Sequence, residues 1–468
     1  MKYATEGLAR AGMDLVPPFT IELALDPDQS LTEQTVEDLQ IQDVARVLPG
    51  RRLSGLAQFR EQTVFAKVFY GKHARRYWQR DMTGVRSMHK AQLPAPEILH
   101  CGATADEQGL VVLYQALVDA GSASRSLADE PDQIHQAVLG LARLHDANLL
   151  QTDIHFGNFI RWQDQVWIVD GDGIRRGHLL RQQFANLAEF FAQRPPWYDD
   201  SIPEFWQAYA EARGEYVANM SSAHQVMQLT RKKRAQRVRR YLKKTQRSCT
   251  EFFARTSLNR FFVCQRERWP ELQRFMVFPE EYLRQGTQLR RTETTQVVRC
   301  EIEGRRYLLK RYDINGVVAR MLEAFARRAR AAWRSGHWLA FLDIPAVRPV
   351  AFLEQRWGPL VGTSYLLLPD VGERDLTQLM ATYPEQRDRF ADQVLTLFRR
   401  LQAAGLQHGD LHGTHVVQAA ADQQLLLAEY DDLQPGPIAP DVVRFQDSWR
   451  SDPAVQSFWG ERFSEVGL

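Results

Sequence analysis

One pattern occurs twice in this chain. Asp153-Ile154-His155-Phe156-Gly157-Asn158 is followed, after a short gap, by Val166-Trp167-Ile168-Val169-Asp170. His408-Gly409-Asp410-Leu411-His412-Gly413-Thr414-His415 is followed in the same way by Leu425-Leu426-Leu427-Ala428-Glu429. Each copy reads as a loop acid, an amide or imidazole five positions on, and an apolar strand closed by a second acid. A repeat on this scale implies two domains of one architecture, not a solenoid. A chain of 468 residues is long enough for two or three cores.

The flanking segments repeat in the same order. In the first copy, Arg52 to Phe59 and Val64 to Tyr70 read as a strand pair. Trp78, Met82, Val85 and Met88 then form a helical stripe, which must stop before Leu93-Pro94-Ala95-Pro96. Leu110 to Leu113 reads as a strand, and Ile134 to His145 as a helix leading to the Asp153 loop. In the second copy, Gln296 to Cys300 and Arg306 to Tyr312 form the hairpin, and a helix is expected over 321–341. Ser364 to Pro369 is again a strand, and Phe390 to Ala404 a helix into the His408 loop. The expected organisation is a leader over 1–38, a first domain over 39–228, a basic linker helix over 229–255, a second domain over 256–455 and a tail over 456–468.

Arg231 to Arg247 holds ten Lys or Arg and no acid. Val238, Tyr241, Leu242 and Thr245 form a narrow stripe beneath them, as in an amphipathic basic helix. Such a helix is either a solvated linker or a surface for phosphates, anionic lipid or an acidic partner. Duplex nucleic acid is not expected, since no groove-reading motif accompanies the block. The net charge of +2 provides no global steering, so attraction to anions must be local. Cys101, Cys249, Cys264 and Cys300 lie far apart and predict free thiols in a reducing compartment. No secretory signal or membrane span is expected, which predicts a cytoplasmic protein with at most peripheral membrane contact.

The repeated pattern fits phosphoryl transfer. That chemistry requires a held triphosphate, a held divalent metal and a carboxylate beside the attacking hydroxyl. Lys67 is a cation in mid-strand, a costly placement unless an ion pair or phosphate compensates it. Asp81, one helical turn past Trp78, is its candidate partner, where kinases more often use Glu. Asp153 is the candidate base, and Asn158 and Asp170 are candidate metal ligands, Gly171 and Gly173 freeing the turn that follows. Taken singly, Asp153 reads first as a turn cap and Asp170-Gly171 as a strand-end turn; their combination at this spacing behind a mid-strand Lys favours the kinase pattern. In the second copy Lys310 matches Lys67, Asp410 matches Asp153, His415 stands for Asn158 and Glu429 for Asp170. No carboxylate near Trp333 is available to pair with Lys310. Gly50 and Gly55 are present, but no Gly-x-Gly-x-x-Gly loop occurs.

The residues Arg306 to Tyr312, the Arg- and Ala-rich stretch into Trp333, Ile344 to Pro349, and His408-Gly409-Asp410 through His415 resemble the WaaP/InaA lipopolysaccharide kinase family. Its heptose kinases also carry His at the fifth position after the loop Asp, so His415 conforms, whereas Glu429 departs from the family's Asp. The first copy resembles a more distant member. The resemblance implies an α+β fold of two tandem protein-kinase-like domains, each with a small β-rich N-lobe and a larger helical C-lobe. It implies ATP and Mg2+ as cofactors, with Lys67, Asp81 and Lys310 at the nucleotide, Asn158, Asp170, His415 and Glu429 at the metal, and Asp153 and Asp410 as catalytic residues. The implied acceptor is a sugar hydroxyl, heptose of the lipopolysaccharide inner core, at the inner membrane's cytoplasmic face. The first domain is the better catalytic candidate on its residues. A pseudokinase scaffold and a small-molecule phosphotransferase of the aminoglycoside type are the competing readings.

Overall fold

The computed structural model describes residues 2–11, 15–24, 36–117, 130–313, 328–357, 360–372 and 374–468. They fall into two compact units, Met1–Arg194 with Tyr198–Lys233, and Pro195–Trp197 with Arg234–Leu468.

The first unit opens with a short helix, α1 (Thr5–Ala11), and six strands: β1 (Phe19–Ala24), β2 (Val36–Leu48), β3 (Arg52–Phe59), β4 (Gln62–Tyr70), β5 (Ile98–Thr104) and β6 (Gly109–Gln115). They close into an antiparallel barrel in the order β1-β2-β3-β4-β6-β5. Closure depends on β1, which pairs with β2 along its length and with β5 through Leu23 and Ala24. The stretch expected as an irregular leader therefore supplies a barrel strand, and Phe19, Ile21 and Leu23 are buried in its core. At Leu48-Pro49-Gly50-Arg51 the Arg51 N–H returns to the Leu48 carbonyl at 3.0 Å, with Gly50 at φ +67°. Proline followed by a positive-φ glycine is what a type II turn requires. Gly55 is needed for close approach instead. A Cβ there would sit 1.9 Å from the Asp43 carbonyl oxygen, beside a bulge in β2.

Helix α2 (Ala74–Lys90) and helix α3 (Pro131–Asp146) flank β5 and β6 in the chain. The Asp153 loop follows α3, and the hairpin Phe159–Trp162 with Gln165–Ile168 leads to Asp170. After these come the helices Leu180–Phe191, Ile202–Arg213 and Glu215–Met220. Their aromatic side chains, Phe190, Phe191, Phe205 and Tyr209 among them, fill one core with α2 and α3.

The second unit has a seven-stranded antiparallel sheet. The strand order is Phe252–Thr256, Arg260–Gln265, Ala351–Trp357, Leu360–Pro369, Arg305–Tyr312, Thr295–Ile302 and Thr287–Arg291. The helix expected over 321–341 is seen as Arg328–Phe341; residues 321–327 lie outside the described residues. Helix Arg387–Ala404 buries Phe390, Val394, Leu397, Phe398 and Leu401 at helical spacing and ends in a left-handed Gly405.

Two further expectations are corrected. The residues read as a tail belong to helix Pro453–Glu465, whose Trp459 and Phe463 lie within the unit's main core. The basic helix spans Ala223–Lys244, and the expected linker's last residues are already in strand Phe252–Thr256. Its Val238 and Leu242 are buried in the second unit's core, so this stripe faces protein. Arg231 lies 3.7 Å from Asp199, Lys233 lies 3.0 Å from Glu189, and Arg234 is buried. Lys232, Arg239, Lys243 and Lys244 remain exposed. No helix among the described residues is long and apolar enough to cross a membrane.

Trp459 has no exposed surface and packs edge-on against Phe445. Trp459→Ala should therefore destabilise the second unit by about 3–5 kcal/mol. Urea unfolding followed by near-UV circular dichroism measures this, and an unchanged midpoint would show that the C-terminal helix is dispensable.

Candidate active site

In β4, period-two alternation sends Val64, Ala66 and Val68 into the barrel core. Lys67 projects from the opposite face, where Phe69, Val112 and Tyr114 belong to the core shared with α2. Its Nζ lies 2.7 Å from Asp81 and 2.9 Å from Asp170. Lys67 keeps 7% of its side chain exposed and Asp81 none. Tyr114 donates its hydroxyl to the second Asp81 oxygen, and Arg52 stands 3.6 Å from Asp170. Burial alone would raise the Asp170 carboxyl, but Lys67 and Arg52 outweigh it and hold the group below the usual carboxylate range. Burial likewise disfavours the Lys67 charge, and the two carboxylates overcome that too.

Two glycines let the short Asp81 side chain reach. A Cβ on Gly84 would lie 2.0 Å from the Gly171 carbonyl oxygen, and one on Gly171 would lie 2.2 Å from the Asp81 carbonyl oxygen. Helix α2 thus rests directly on the backbone after Asp170. Asp170 itself is left-handed at φ 69°.

The Asp153 loop is organised from behind. Asn158 donates its Nδ2 to the Asp153 carbonyl at 2.7 Å, which leaves Oδ1 as the atom able to accept or ligate. The Val169 N–H bonds the Asn158 carbonyl at 2.9 Å, tying the loop to the strand that ends at Asp170. Gln151 donates to the Asp170 carbonyl at 3.2 Å. The Asp153 side chain is exposed and makes no ion pair among the described residues.

The second unit repeats these bonds residue for residue. The Ala428 N–H meets the His415 carbonyl at 2.9 Å, as Val169 meets Asn158. His415 Nδ1 lies 2.6 Å from the Asp410 carbonyl, which can only accept, so Nδ1 carries the proton. His415 Nε2 then stands 3.7 Å from Glu429. His408 takes the place of Gln151, its Nε2 bonding the Glu429 carbonyl. Burial pushes His408 down to about 4, so it is neutral at pH 7. Lys310 lies 3.4 Å from Glu429 and also acts electrostatically on the buried Asp431, while helix Arg328–Phe341 offers it no carboxylate. That helix turns Trp333 into the core, where its indole donates to the Thr245 carbonyl at 3.0 Å. Arg290 also approaches Glu429, at 3.5 Å. Burial would raise the Glu429 carboxyl, but Lys310, His415 and Arg290 together hold it low. Asp410 is half exposed, with His412 Nε2 at 2.8 Å.

Lys67, Asp81 and Asp170 therefore meet directly, and Asn158 and Asp153 join them through backbone and amide bonds. Lys310, Glu429, His415 and Asp410 meet in the corresponding way. Sequence reasoning missed Arg52, Gln151 and Asp441. Fully buried Asp441 accepts the His408 N–H at 2.5 Å and the Gly409 N–H at 2.9 Å, clamping the loop. Arg52 had a usable signal: it shares a strand face with Ser54, which pairs with Lys67. Asp441 had none, since a helix acid after a proline is ordinary. Among the described residues no group of three or more His, Cys, Asp or Glu forms a metal cage. A metal here would need ligand oxygens from a bound phosphate.

The fold is α+β and kinase-like, and residues 280–431 match the lipopolysaccharide kinase (Kdo/WaaP) family. The matched segment lies in the second unit and includes Lys310, Asp410, His415 and Glu429. The lipopolysaccharide core heptose(I) kinase WaaP of Escherichia coli is 27% identical over 150 residues, covering 30% of this chain and 57% of that protein. The chain therefore spans little more than half the length of that relative. A solved structure of WaaP in complex with acyl carrier protein aligns at 18% identity over 40% of this chain and 92% of that one, with a TM-score of 0.27.

Lys67→Met should reverse the pH dependence of the first unit's stability. In the native protein the depressed Asp170 carboxyl adds stability above about pH 4 that is lost on acidification. Without the lysine, Asp81 and Asp170 face each other, at least one pKa rises, and stability falls as pH climbs from about 4 towards that raised value. Urea midpoints at about pH 4.5 and about pH 7 should fall with pH in the variant only. Parallel profiles would refute the buried network.

Proposed function

We propose that this chain is an ATP-dependent phosphotransferase built of two tandem protein-kinase-like domains, with a sugar hydroxyl of the lipopolysaccharide inner core, a heptose, as acceptor. The observation that carries the reading is the Lys67–Asp81–Asp170 cluster beside the Asp153 loop. The family segment in the second unit supports the kinase class, and the name of the E. coli relative supports heptose.

The donor set fits a nucleotide with a hard divalent cation such as Mg2+. Asp170 is held ionised and Asn158 keeps Oδ1 for ligation, both oxygens of the kind that ion prefers. A metal held there would neutralise charge on the transferring phosphate. Lys67, and Arg52 beside it, supply positive charge for phosphate oxygens. With no glycine-rich loop, the Pro49-Gly50 turn and these two cations take over its phosphate-holding role. Asp153 accepts the proton of the acceptor hydroxyl. The exposure of its carboxylate suits a large glycolipid acceptor.

The first unit is the better catalytic candidate. It combines a carboxylate-paired lysine, an Asp at the metal position and an unencumbered base. In the second unit the longer Glu429 is shared among Lys310, Arg290 and His415, and the imidazole Nε2 of His415 suits Mg2+ less well than an amide oxygen. We assign this unit a substrate-binding or second catalytic role. The exposed Arg239, Lys243 and Lys244 would hold the enzyme peripherally at an anionic surface, on the cytoplasmic face of the inner membrane. This contact is by charge alone, because the helix's apolar stripe is spent on the core.

Asp153→Asn should lower turnover by about a hundredfold or more, and Asp410→Asn should lower it less. Transfer of labelled phosphate to core glycolipid, with mass spectrometry of the product, measures both. If Asp153→Asn leaves transfer intact, the first unit is not the catalyst. If neither unit transfers phosphate yet Mg-ATP still raises the melting temperature, the pseudokinase scaffold replaces this reading.

Arg239→Gln, Lys243→Gln and Lys244→Gln together should weaken binding to anionic vesicles by about 1 kcal/mol per residue. Raised salt should do the same to the native protein. Vesicle flotation checks this, and salt-independent binding would exclude it.

A further inference from the structure

A cavity of about 530 Å³ in the first unit lies between α2 and the strands Leu149–Gln151 and Ile174–Arg176. Lys67, Asp153 and Asn158 are not among its lining residues. Four arginines are: Arg76 and Arg80 from α2, and Arg175 and Arg176 from the strand just after Asp170. The i,i+4 spacing puts Arg76 and Arg80 on one helix face. Among the described residues no carboxylate lines this cavity. Arg80 is offset by Asp172 at 3.0 Å, but Asp172 also serves Arg51 at 3.1 Å. Arg76, Arg175 and Arg176 make no ion pair among the described residues. Arg175 donates to the Ile174 carbonyl at 2.6 Å, and burial and neighbouring Arg80 disfavour its charge more than Asp172 favours it. An adjoining recess, lined in part by Lys90, Arg176 and His178, continues the same sign.

Crowding guanidinium groups around a concavity is unfavourable unless an anion completes it. Several guanidinium forks around one space match an acceptor with several charged oxygens, and phosphate has that geometry where a single carboxylate does not. We propose that this groove binds a phosphate-bearing ligand through Arg76, Arg175 and Arg176, with the Thr83 hydroxyl on its wall. Arg80 links the groove to the cluster around Lys67, since Asp172 donates its backbone N–H to Asp81 at 3.1 Å. The proposal is independent of whether the first unit transfers phosphate.

The ligand has two possible sources, a soluble phosphate ester or a lipid phosphomonoester. Pyrophosphate and vesicles containing phosphatidic acid serve as probes of the full chain, in metal-free buffer. Arg76→Gln with Arg176→Gln changes two exposed side chains, and Thr83→Glu, also exposed, places an acid in the groove without removing an arginine. Each variant should weaken binding of one probe tenfold or more by calorimetry or flotation, whereas Arg239→Gln with Lys243→Gln should leave pyrophosphate binding unchanged and should weaken phosphatidic acid vesicles no more than phosphatidylglycerol vesicles of equal charge. Loss confined to pyrophosphate assigns a soluble ligand, and loss confined to phosphatidic acid assigns a lipid headgroup. Pyrophosphate and vesicle binding that is absent, or unchanged in both groove variants, overturns the proposal.

Discussion

A buried ammonium organises the first unit. Moving an isolated charge of this size out of water has an idealised cost of order 20 kcal/mol, and several kcal/mol remain after relaxation. Lys67 avoids that cost only where Asp81 and Asp170 both reach it, and they lie 14 and 103 residues away in the chain. Strand β4, helix α2 and the Asp170 segment are thereby held to one geometry. The two glycines at the α2 contact follow from the same demand, because any side chain there would push Asp81 away from the lysine.

The second unit meets a similar demand with different parts. Lys310 is as buried as Lys67; its ion pair is with Glu429, and the buried Asp431 carboxylate also feels its charge. The extra methylene lets one carboxylate approach Lys310, Arg290 and His415 together, whereas Asp170 shares its lysine with a second acid. The loops behind are built alike. A side-chain donor, Gln151 or His408, braces the carbonyl of the strand-end acid, and an amide or imidazole closes on the carbonyl of the loop Asp. Loop geometry is thus preserved while charge distribution differs, and on that ground we propose different catalytic weights for the two units.

Much of this site was legible before any coordinates. Lys67 stood out because a cation within alternating apolar residues needs a partner. Asp153, Asn158 and Asp170 stood out because their spacing recurs at Asp410, His415 and Glu429. Strand β1 was not legible: Phe19–Ala24 is short, and only closure against β2 and β5 makes it a strand. Trp459 and Phe463 looked like a tail because nothing local says that a core awaits them. The basic block misled in another way. Ten like charges suggested an open cationic surface, yet Arg231 and Lys233 find Asp199 and Glu189 in segments whose proximity no periodicity reveals.

What the chain determined by itself is local and periodic. Alternation set the faces of β4, apolar spacing set helix α2 and helix Arg387–Ala404, proline bounded them, and the repeated loop marked out a candidate site. Which acid meets which cation was left to the tertiary structure. A carboxylate's partner depends on backbone separations of a few ångströms between distant segments, and those are set by packing: Gly84 against Gly171, Asp441 beneath His408, and the crowded arginines along α2.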